Sequence, residues 1–192
     1  MNRFRCFLGL NFSVGVTRKI AEEIERQRKL LAERSPGLKA AWVSPANLHV
    51  TLRFLGSIDE DLVDGLTVRL KRVAARHPPF EARARGLGAF PDAERPRVLW
   101  VGVEGDGVVK LQKDVEATVI ELGFPKEERA FHPHVTVARV KEAAPLGDWS
   151  SLSEALEFGA STINEIVVYE SRTKKAGVEY AARARVALGK GD

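Results

Sequence analysis

The sequence predicts an α+β fold with a mostly antiparallel sheet, because helical segments are few and strand-like segments are many. Two of the strand-like segments carry the same tripeptide, His-Val-Thr, at 49–51 and 134–136. The length of 192 residues suits one large domain or two small lobes that share a core. We therefore expect one bilobal domain over residues 1–192.

The composition is typical of a globular protein that can bury a sizeable core. Hydrophobic residues make up 44% of the chain, and the formal net charge is +4 with a pI near 9.3. A mildly basic chain is compatible with a phosphate-bearing partner. The charges are mixed along the sequence, which favours a single-charge substrate or a short nucleic-acid end over a long duplex.

The single cysteine and the lack of long apolar runs bear on the compartment. Cys6 cannot form an intramolecular disulfide, and its apolar surroundings predict a buried free thiol. No apolar run approaches the roughly 18 residues that a membrane span needs. Arg3 and Arg5 precede an apolar run that is short and contains Asn11, which argues against a signal peptide. We expect a cytoplasmic protein with no membrane partner.

The first half of the chain predicts a strand, a helix and a second strand. Residues 3–12 alternate enough for the first strand, and 48–55 for the second. Between them, the apolar residues from Val16 to Leu31 recur near helical spacing with charges between them, as in a helix with one buried stripe. The intervening segment 35–47 is rich in turn-forming residues.

The second half adds two helices and further strands. Ser57 and Glu60 have the spacing of a capping box, which predicts the start of a second helix that ends near Arg76. Further elements are expected in this order: strands at 80–90 and 97–104, a helix from about 107 to 122, the second His-Val-Thr strand, and a hairpin of 163–172 with 178–188.

The two His-Val-Thr strands each offer an imidazole and a hydroxyl on one face. Residues i and i+2 of a strand point the same way, so His49 shares a face with Thr51, and His134 with Thr136. The opposite faces are apolar. The order strand, helix, His-Val-Thr strand occurs twice, and a true repeat of this kind predicts two lobes that face each other across a pseudo-twofold axis.

This pairing suits phosphodiester hydrolysis by acid–base chemistry. One imidazole can activate the nucleophile and the other can protonate the leaving oxygen, because the unperturbed pKa of histidine is near 6.5. Each threonine hydroxyl can hold a non-bridging oxygen. No carboxylate or cysteine accompanies either motif, so we expect no metal and no cofactor. The residues alone leave open that both motifs are ordinary half-exposed strand faces.

The segments "HVTLRFLG" and "PHVTVAR" resemble the two signatures of the 2H phosphoesterase superfamily. The chain is most similar to the bacterial and archaeal RNA 2′,3′-cyclic phosphodiesterases, a family first called 2′-5′ RNA ligases. Supporting segments run along nearly the whole chain: "RFRCFLGLNF", "GLGAFPDAERPRVLWVGVE" and "YESRTKKAGVEY". The ordered combination is specific, whereas either tripeptide alone is weak.

The resemblance implies a bilobal fold with two mostly antiparallel sheets that line a central cleft, and with helices outside. It implies metal-independent hydrolysis of RNA 2′,3′-cyclic phosphate ends to 2′-phosphomonoesters, and a possible joining of tRNA halves through a 2′-5′ bond. In this resemblance His49 is the proton donor to the 3′-oxygen and His134 the base that activates water. Thr51 and Thr136 hold the phosphate. We expect a monomer with no protein partner.

Two arginines are candidate substrate-binding residues. Strand alternation places Arg53 on the same face as Thr51, where it can neutralise a phosphate. Arg139 follows the second motif, as is common in the family. Strict alternation turns Arg139 away from the cleft, although a β-bulge can bring it back.

The aromatic residues and the reaction class leave alternatives. Trp42, Trp100 and Tyr169 are candidates for base stacking at the rim, although each is more often a core residue, and Trp100 is expected to be core or half-core. One alternative function is a 2H phosphoesterase that acts on a small cyclic or 2′-5′-linked nucleotide. Another is a non-catalytic module that binds RNA ends.

Overall fold

The computed structural model describes residues 2–147, 149, 155–175 and 177–189 and confirms the α+β class. In this part of the chain, none of the helices is long and apolar enough to span a membrane. A short 3₁₀ turn, Pro45–Asn47, precedes the third strand. The main elements are β1 Arg3–Leu10, α1 Val14–Arg34, β2 Lys39–Trp42, β3 Val50–Asp59, α2 Leu62–Ala74, β4 Phe80–Phe90, β5 Val98–Glu104, α3 Asp106–Glu121, β6 His134–Glu142, β7 Glu157–Ile163, β8 Glu165–Lys174 and β9 Gly177–Ala187.

The strands form an antiparallel sheet whose two halves meet at one point. The strand order is β7-β4-β5-β6-β3-β1-β8-β9, and β2 pairs with the far end of β6. β3 and β6 are joined through the single pair Val50–Val135. The two predicted sheets are therefore the two halves of this sheet, one ending in β3 and the other in β6. Each half contributes one His-Val-Thr strand to the junction.

The helices cover the face of the sheet that the apolar residues share. The predicted stripe of α1 is buried, including Val16, Ile20, Ile24 and Leu31. α1 follows β1 along the chain but contacts β7, which lies in the half of the sheet that ends in β6. α3 contacts β3 and β4. The core thus lies between the helices and the apolar faces of both His-Val-Thr strands. Val50 and Val135 on these faces are almost fully buried. The histidine faces are left free of helices.

The sequence analysis placed the start of one helix wrongly and missed two strands. The capping box at Ser57 does not form, because β3 continues to Asp59 and Ser57 pairs with Arg5 of β1. α2 begins at Leu62, after a turn, with Asp61 as its capping residue. Two strands, β2 and β7, were not predicted: β2 lies in the segment read as turns, and β7 has Gly159 within it. Both run at the margins of the sheet, where alternation is weak.

Cys6 confirms the prediction of a buried free thiol. It is 2% exposed and packs in the core among residues of β1 and its neighbours. Burial raises the pKa of the thiol to about 12. A thiol that stays protonated is a poor nucleophile, so Cys6 acts as a small apolar residue.

Candidate active site

The structure brings His49, Thr51, His134 and Thr136 to the same face of the sheet. Val50 and Val135 pair across the junction and both point into the core. Because side chains alternate along a strand, the residues that flank this pair point to the opposite face. The antiparallel register places His49 across from Thr136 and His134 across from Thr51. The four side chains therefore line one cleft at the junction of the two halves.

Each imidazole is oriented by a carbonyl two residues before it. His49 Nδ1 lies 2.7 Å from the carbonyl oxygen of Asn47, and His134 Nδ1 lies 2.7 Å from that of His132. A carbonyl only accepts hydrogen bonds, so Nδ1 carries the proton and donates in both cases. In the neutral imidazoles Nε2 is then the acceptor. His49 Nε2 lies 2.9 Å from Thr51 Oγ1 and accepts a hydrogen bond from the threonine hydroxyl.

The surroundings lower the pKa of both imidazoles. Burial is the largest cause, and it brings the pKa of His49 from 6.5 to about 4. The pKa of His134 is also lowered, first by burial. The positive charge of Arg139 lowers the pKa of both, and His134 contributes to that of His49. Both imidazoles are therefore neutral at pH 7.

Aromatic rings enclose each histidine on its own side of the cleft. The rings of Phe7 and Tyr180 lie 4.8 and 5.1 Å from the His49 ring, and Tyr169 stacks on Phe7 at 5.0 Å. The ring of Phe90 meets that of His134 edge-on at 5.2 Å. These rings contribute to the burial that lowers the histidine pKa values.

The three aromatic candidates for base stacking lie in different surroundings. Trp100 is half-buried, within the predicted range of core or half-core, and it also lines a cavity beside His134. Trp42, at the end of β2, is partly buried and packs against the core. Tyr169 lies in the cleft, where its hydroxyl and the amide of Asn11 are hydrogen-bonded at 2.8–2.9 Å.

The prediction that Arg53 faces the cleft is wrong, because a β-bulge reverses it. Leu8 pairs with Arg53 and Gly9 with Thr51, so Leu52 is an extra residue on β3. Leu52 and Arg53 both point to the helix side as a result. Arg53 is 7% exposed, and its Nε lies 2.8 Å from Glu116 Oε2 in a charge contact that is not aligned as a hydrogen bond.

Arg53 makes two further contacts there. Its guanidinium donates to Glu127 at 3.2 Å and to the carbonyl oxygen of Pro125. It ties β3 to α3 and to the loop that leads to the second motif. These contacts give Arg53 a structural role behind the cleft.

A second bulge has the opposite effect on Arg139. Trp100 pairs with Thr136 and Leu99 with Ala138, so Val137 is the extra residue on β6. Val137 and Ala138 are both buried, and Arg139 returns to the face of Thr136 with its side chain exposed. Its effect on the pKa of both histidines agrees with this position. Among the described residues, no ion-pair partner of Arg139 is found.

The two motifs are equivalent in backbone and different in one side chain. In each, the bulge follows the threonine, so the fifth residue after the histidine returns to the cleft. That residue is Phe54 in the first motif and Arg139 in the second. Phe54 is 53% exposed, and its ring lies 5.9 Å from that of Phe7. The cleft thus has a cationic side and an aromatic side.

Sequence reasoning missed Phe7, Tyr180 and Asn47. Phe7 lies in a strand whose two faces are both apolar, so alternation gave no sign of its side. Asn47 positions His49 through its carbonyl, and its side-chain amide donates to the carbonyl of Val178 in β9 at 2.6 Å. Within the described ranges, no group of three or more histidine, cysteine or carboxylate side chains could hold a metal ion.

The fold matches two solved structures over nearly the whole chain. The protein TT0787 of Thermus thermophilus superimposes with a TM-score of 0.81 and 28% sequence identity, and the match covers 97% of this chain and 99% of that one. The E. coli LigT complex with 3′-AMP gives a TM-score of 0.76 at 23% identity, with 97% and 99% coverage. The second match shows similarity of fold.

Curated relatives and a family model agree with the structural matches. The RNA 2′,3′-cyclic phosphodiesterase of Aquifex aeolicus strain VF5 is 33% identical over 194 residues, which cover 98% of this chain and 100% of that protein. The protein of the same name from Thermotoga maritima is 32% identical over 92% of this chain and 91% of its own length. The model "LigT like Phosphoesterase" matches twice in succession, at 14–100 and 101–180. The chain belongs to the LigT-like phosphoesterase family.

Proposed function

We propose that this protein hydrolyses the 2′,3′-cyclic phosphate at an RNA end to a 2′-phosphomonoester. The observation that carries the proposal is the pair of imidazoles on one face, each with Nδ1 held by a carbonyl and Nε2 available for proton transfer. The names of the curated relatives agree with this reaction. The proton transfers need no metal, because the chain supplies both an acid and a base.

In the proposed reaction, His134 Nε2 takes a proton from a water molecule that attacks the phosphorus. The new P–O bond forms as the bond to the 3′-oxygen breaks, and His49 Nε2–H protonates that oxygen. The products are a 2′-phosphomonoester and a free 3′-hydroxyl. The resemblance supports this division of roles between His49 and His134. Both histidines must regain their starting protonation before the next turnover.

Substrate binding must change the protonation of His49. Its Nε2 accepts a hydrogen bond from Thr51, and burial lowers its pKa to about 4. A bound phosphate anion favours the imidazolium and raises this pKa. The hydroxyl of Thr51 is then free to donate to a non-bridging oxygen, as we propose also for Thr136. The substrate thereby prepares the acid that cleaves it.

The pH dependence provides a test of the paired imidazoles. We expect a bell-shaped profile of kcat/KM, because one imidazole must be neutral and the other protonated. Since the pKa values of both free imidazoles are lowered, the maximum should lie below pH 6.5. The profile of kcat should lie at higher pH, because bound phosphate raises both values. A flat profile from pH 5 to 8, with chemistry rate-limiting, would contradict the assignment.

Arg139 is proposed to bind the phosphate from the second half of the cleft. Replacing it by glutamine should lower kcat/KM roughly 10- to 100-fold, the effect of losing a hydrogen bond to a charged group. The alkaline limb of the profile should move to higher pH, because removing the cation raises the pKa of both histidines. Steady-state kinetics between pH 4 and 9 measure both effects.

The control for this variant is Arg69→Gln, which removes an exposed arginine on α2. It should leave both the rate and the pH profile unchanged. If Arg139→Gln behaves like this control, Arg139 is not a substrate ligand. If the pH profile shifts but the maximal rate is unchanged, Arg139 acts only through its charge on the histidine pKa values and does not bind the phosphate.

The physiological RNA and the joining of tRNA halves belong to the same proposal. The 5′-hydroxyl of a second RNA can take the place of water: it attacks the phosphorus of the cyclic phosphate as the bond to the 3′-oxygen breaks. The products are a 2′-5′ phosphodiester and a free 3′-hydroxyl, and tRNA halves would be joined in this way. The mildly basic chain and the exposed Arg139 and Phe54 at the cleft support an RNA end as the substrate. A monomer suffices, because both motifs lie in one chain.

The proposed activity is tested by product analysis. Wild-type protein is incubated with 2′,3′-cyclic nucleotides and with a short RNA that ends in a cyclic phosphate, with and without EDTA. Phosphorus NMR should show the 2′-phosphomonoester in both conditions, and far slower formation of it with His49→Ala or His134→Ala. Turnover of mononucleotides alone would favour the small-nucleotide alternative. Tight binding of RNA ends without turnover would identify a binding module.

A further inference from the structure

A cavity of about 410 Å³ opens directly beside His134. Its floor is the exposed face of β4, β5 and β6, and Gly102 is the residue of β5 that pairs with His134. A side chain at Gly102 would come within 2.7 Å of the carbonyl oxygen of Arg85, so this position stays empty. Its neighbours on the same face of β5 are Trp100 and Glu104. The floor is therefore hollow between an indole and a carboxylate.

The indole of Trp100 forms a flat wall of this cavity. A Cβ atom at Gly88, its partner on β4, would lie 2.2 Å from the ring, so the ring lies directly against the backbone of Gly88. Phe90 packs against the indole at 5.1 Å between ring centres and reaches His134 at 5.2 Å. One face of the indole is thus supported by β4. A flat aromatic surface of this kind stacks well with a planar heterocycle.

The far end of the cavity carries both a donor and an acceptor. Arg85 Nη1 lies 3.7 Å from Glu104 Oε1, and both side chains are about half exposed. Arg85 also contacts Glu157 at 3.2 Å. One cation against two carboxylates makes this end unfavourable for a second phosphate. A neutral heterocycle with donors and acceptors on its edge matches it better.

We propose that this cavity binds the base of the terminal nucleotide and favours purines. The base stacks on Trp100 and directs its edge toward Arg85 and Glu104. A purine covers more of the indole than a pyrimidine does, and it reaches further toward the charged end. This inference rests on the proposed function, because it assumes that a cyclic phosphate lies between His49 and His134. The cavity then adds base preference to a phosphate site that has none.

The test compares substrates that differ only in the base. Wild-type kcat/KM is measured for the four 2′,3′-cyclic nucleotides and for an abasic ribose 2′,3′-cyclic phosphate. The purine substrates should be hydrolysed roughly 10-fold or more faster than the abasic one, the effect of one base–aromatic stack. Trp100→Ala should remove this advantage, so that the variant hydrolyses purine and abasic substrates at similar rates. Trp100→Phe should retain part of it.

A second variant acts on the platform without removing it. Gly88→Ala places a methyl group where the indole lies, so the ring must tilt. It should reproduce the loss of base preference. Tryptophan fluorescence adds a readout that needs no turnover: 2′-AMP should quench the wild-type signal, and Trp100→Phe should lose that quenching. Circular dichroism and thermal unfolding check that each variant is folded.

The outcomes separate this inference from the proposed function. If the wild-type protein hydrolyses all five substrates at equal rates, the base site is refuted and the reaction stands. If it hydrolyses none of them, the reaction is refuted, and quenching by 2′-AMP still decides whether the cavity binds a purine. A base preference that survives in folded Trp100→Ala would also overturn the inference.

Discussion

Replacing either His49 or His134 by alanine is expected to lower kcat/KM for a 2′,3′-cyclic nucleotide by roughly 10²–10⁴, the usual contribution of a positioned acid or base. The effect should be similar for both, because each histidine is held in the same way, by a carbonyl two residues before it. Steady-state kinetics with a purine cyclic nucleotide measure the loss.

The double variant tests whether the two imidazoles act as a unit. Residues that act together in one step give non-additive losses. His49→Ala/His134→Ala should therefore be little slower than the slower single variant. His77→Ala is the control, because His77 contacts Asp114 away from the cleft. Strictly additive losses, or full activity in either single variant, would contradict concerted acid–base catalysis by this pair.

The bulk of the fold could be predicted because helical and strand periodicity are local properties. The stripe of α1 is visible in four residues, and all of them are buried in the structure. The capping box was misleading because its residues belong to the end of β3, where Ser57 pairs with Arg5 of β1 in a contact that the local sequence does not show. The short strand β2 was missed because it depends on pairing with β6, which is far away in the sequence.

The site could be predicted up to the first bulge of each motif. Alternation places His49 and Thr51 correctly, because those residues lie next to the regular pair Val50–Val135. Beyond the threonine, the extra residue depends on the register with neighbouring strands, and no local sequence signal shows it. This is why Arg53 was placed in the cleft and Arg139 outside it by strict alternation. In both motifs the fifth residue after the histidine, Phe54 or Arg139, lies in the cleft. This spacing can be recognised only once the bulges are known.

The buried position of Arg53 leads to a large expected effect on stability. Arg53→Met keeps an apolar stem and leaves Glu116 without its partner on the helix side of β3. Removing one member of a buried ion pair costs about 3–5 kcal/mol of unfolding free energy. Urea denaturation followed by circular dichroism measures this loss. The variant that remains folded should keep its kcat, because the side chain does not reach the cleft.

An exposed ion pair on the neighbouring strand is a matched control. Arg3 lies 3.5 Å from Asp59 and its side chain is 60% exposed. Arg3→Met should therefore change the unfolding free energy by about 1 kcal/mol or less. If Arg53→Met instead raises KM or lowers kcat at unchanged stability, Arg53 binds substrate as simple alternation suggests. A large loss of stability with intact turnover would show that Arg53 stabilises the fold behind the cleft. Its contacts with Glu116 and Glu127 lead us to expect this result.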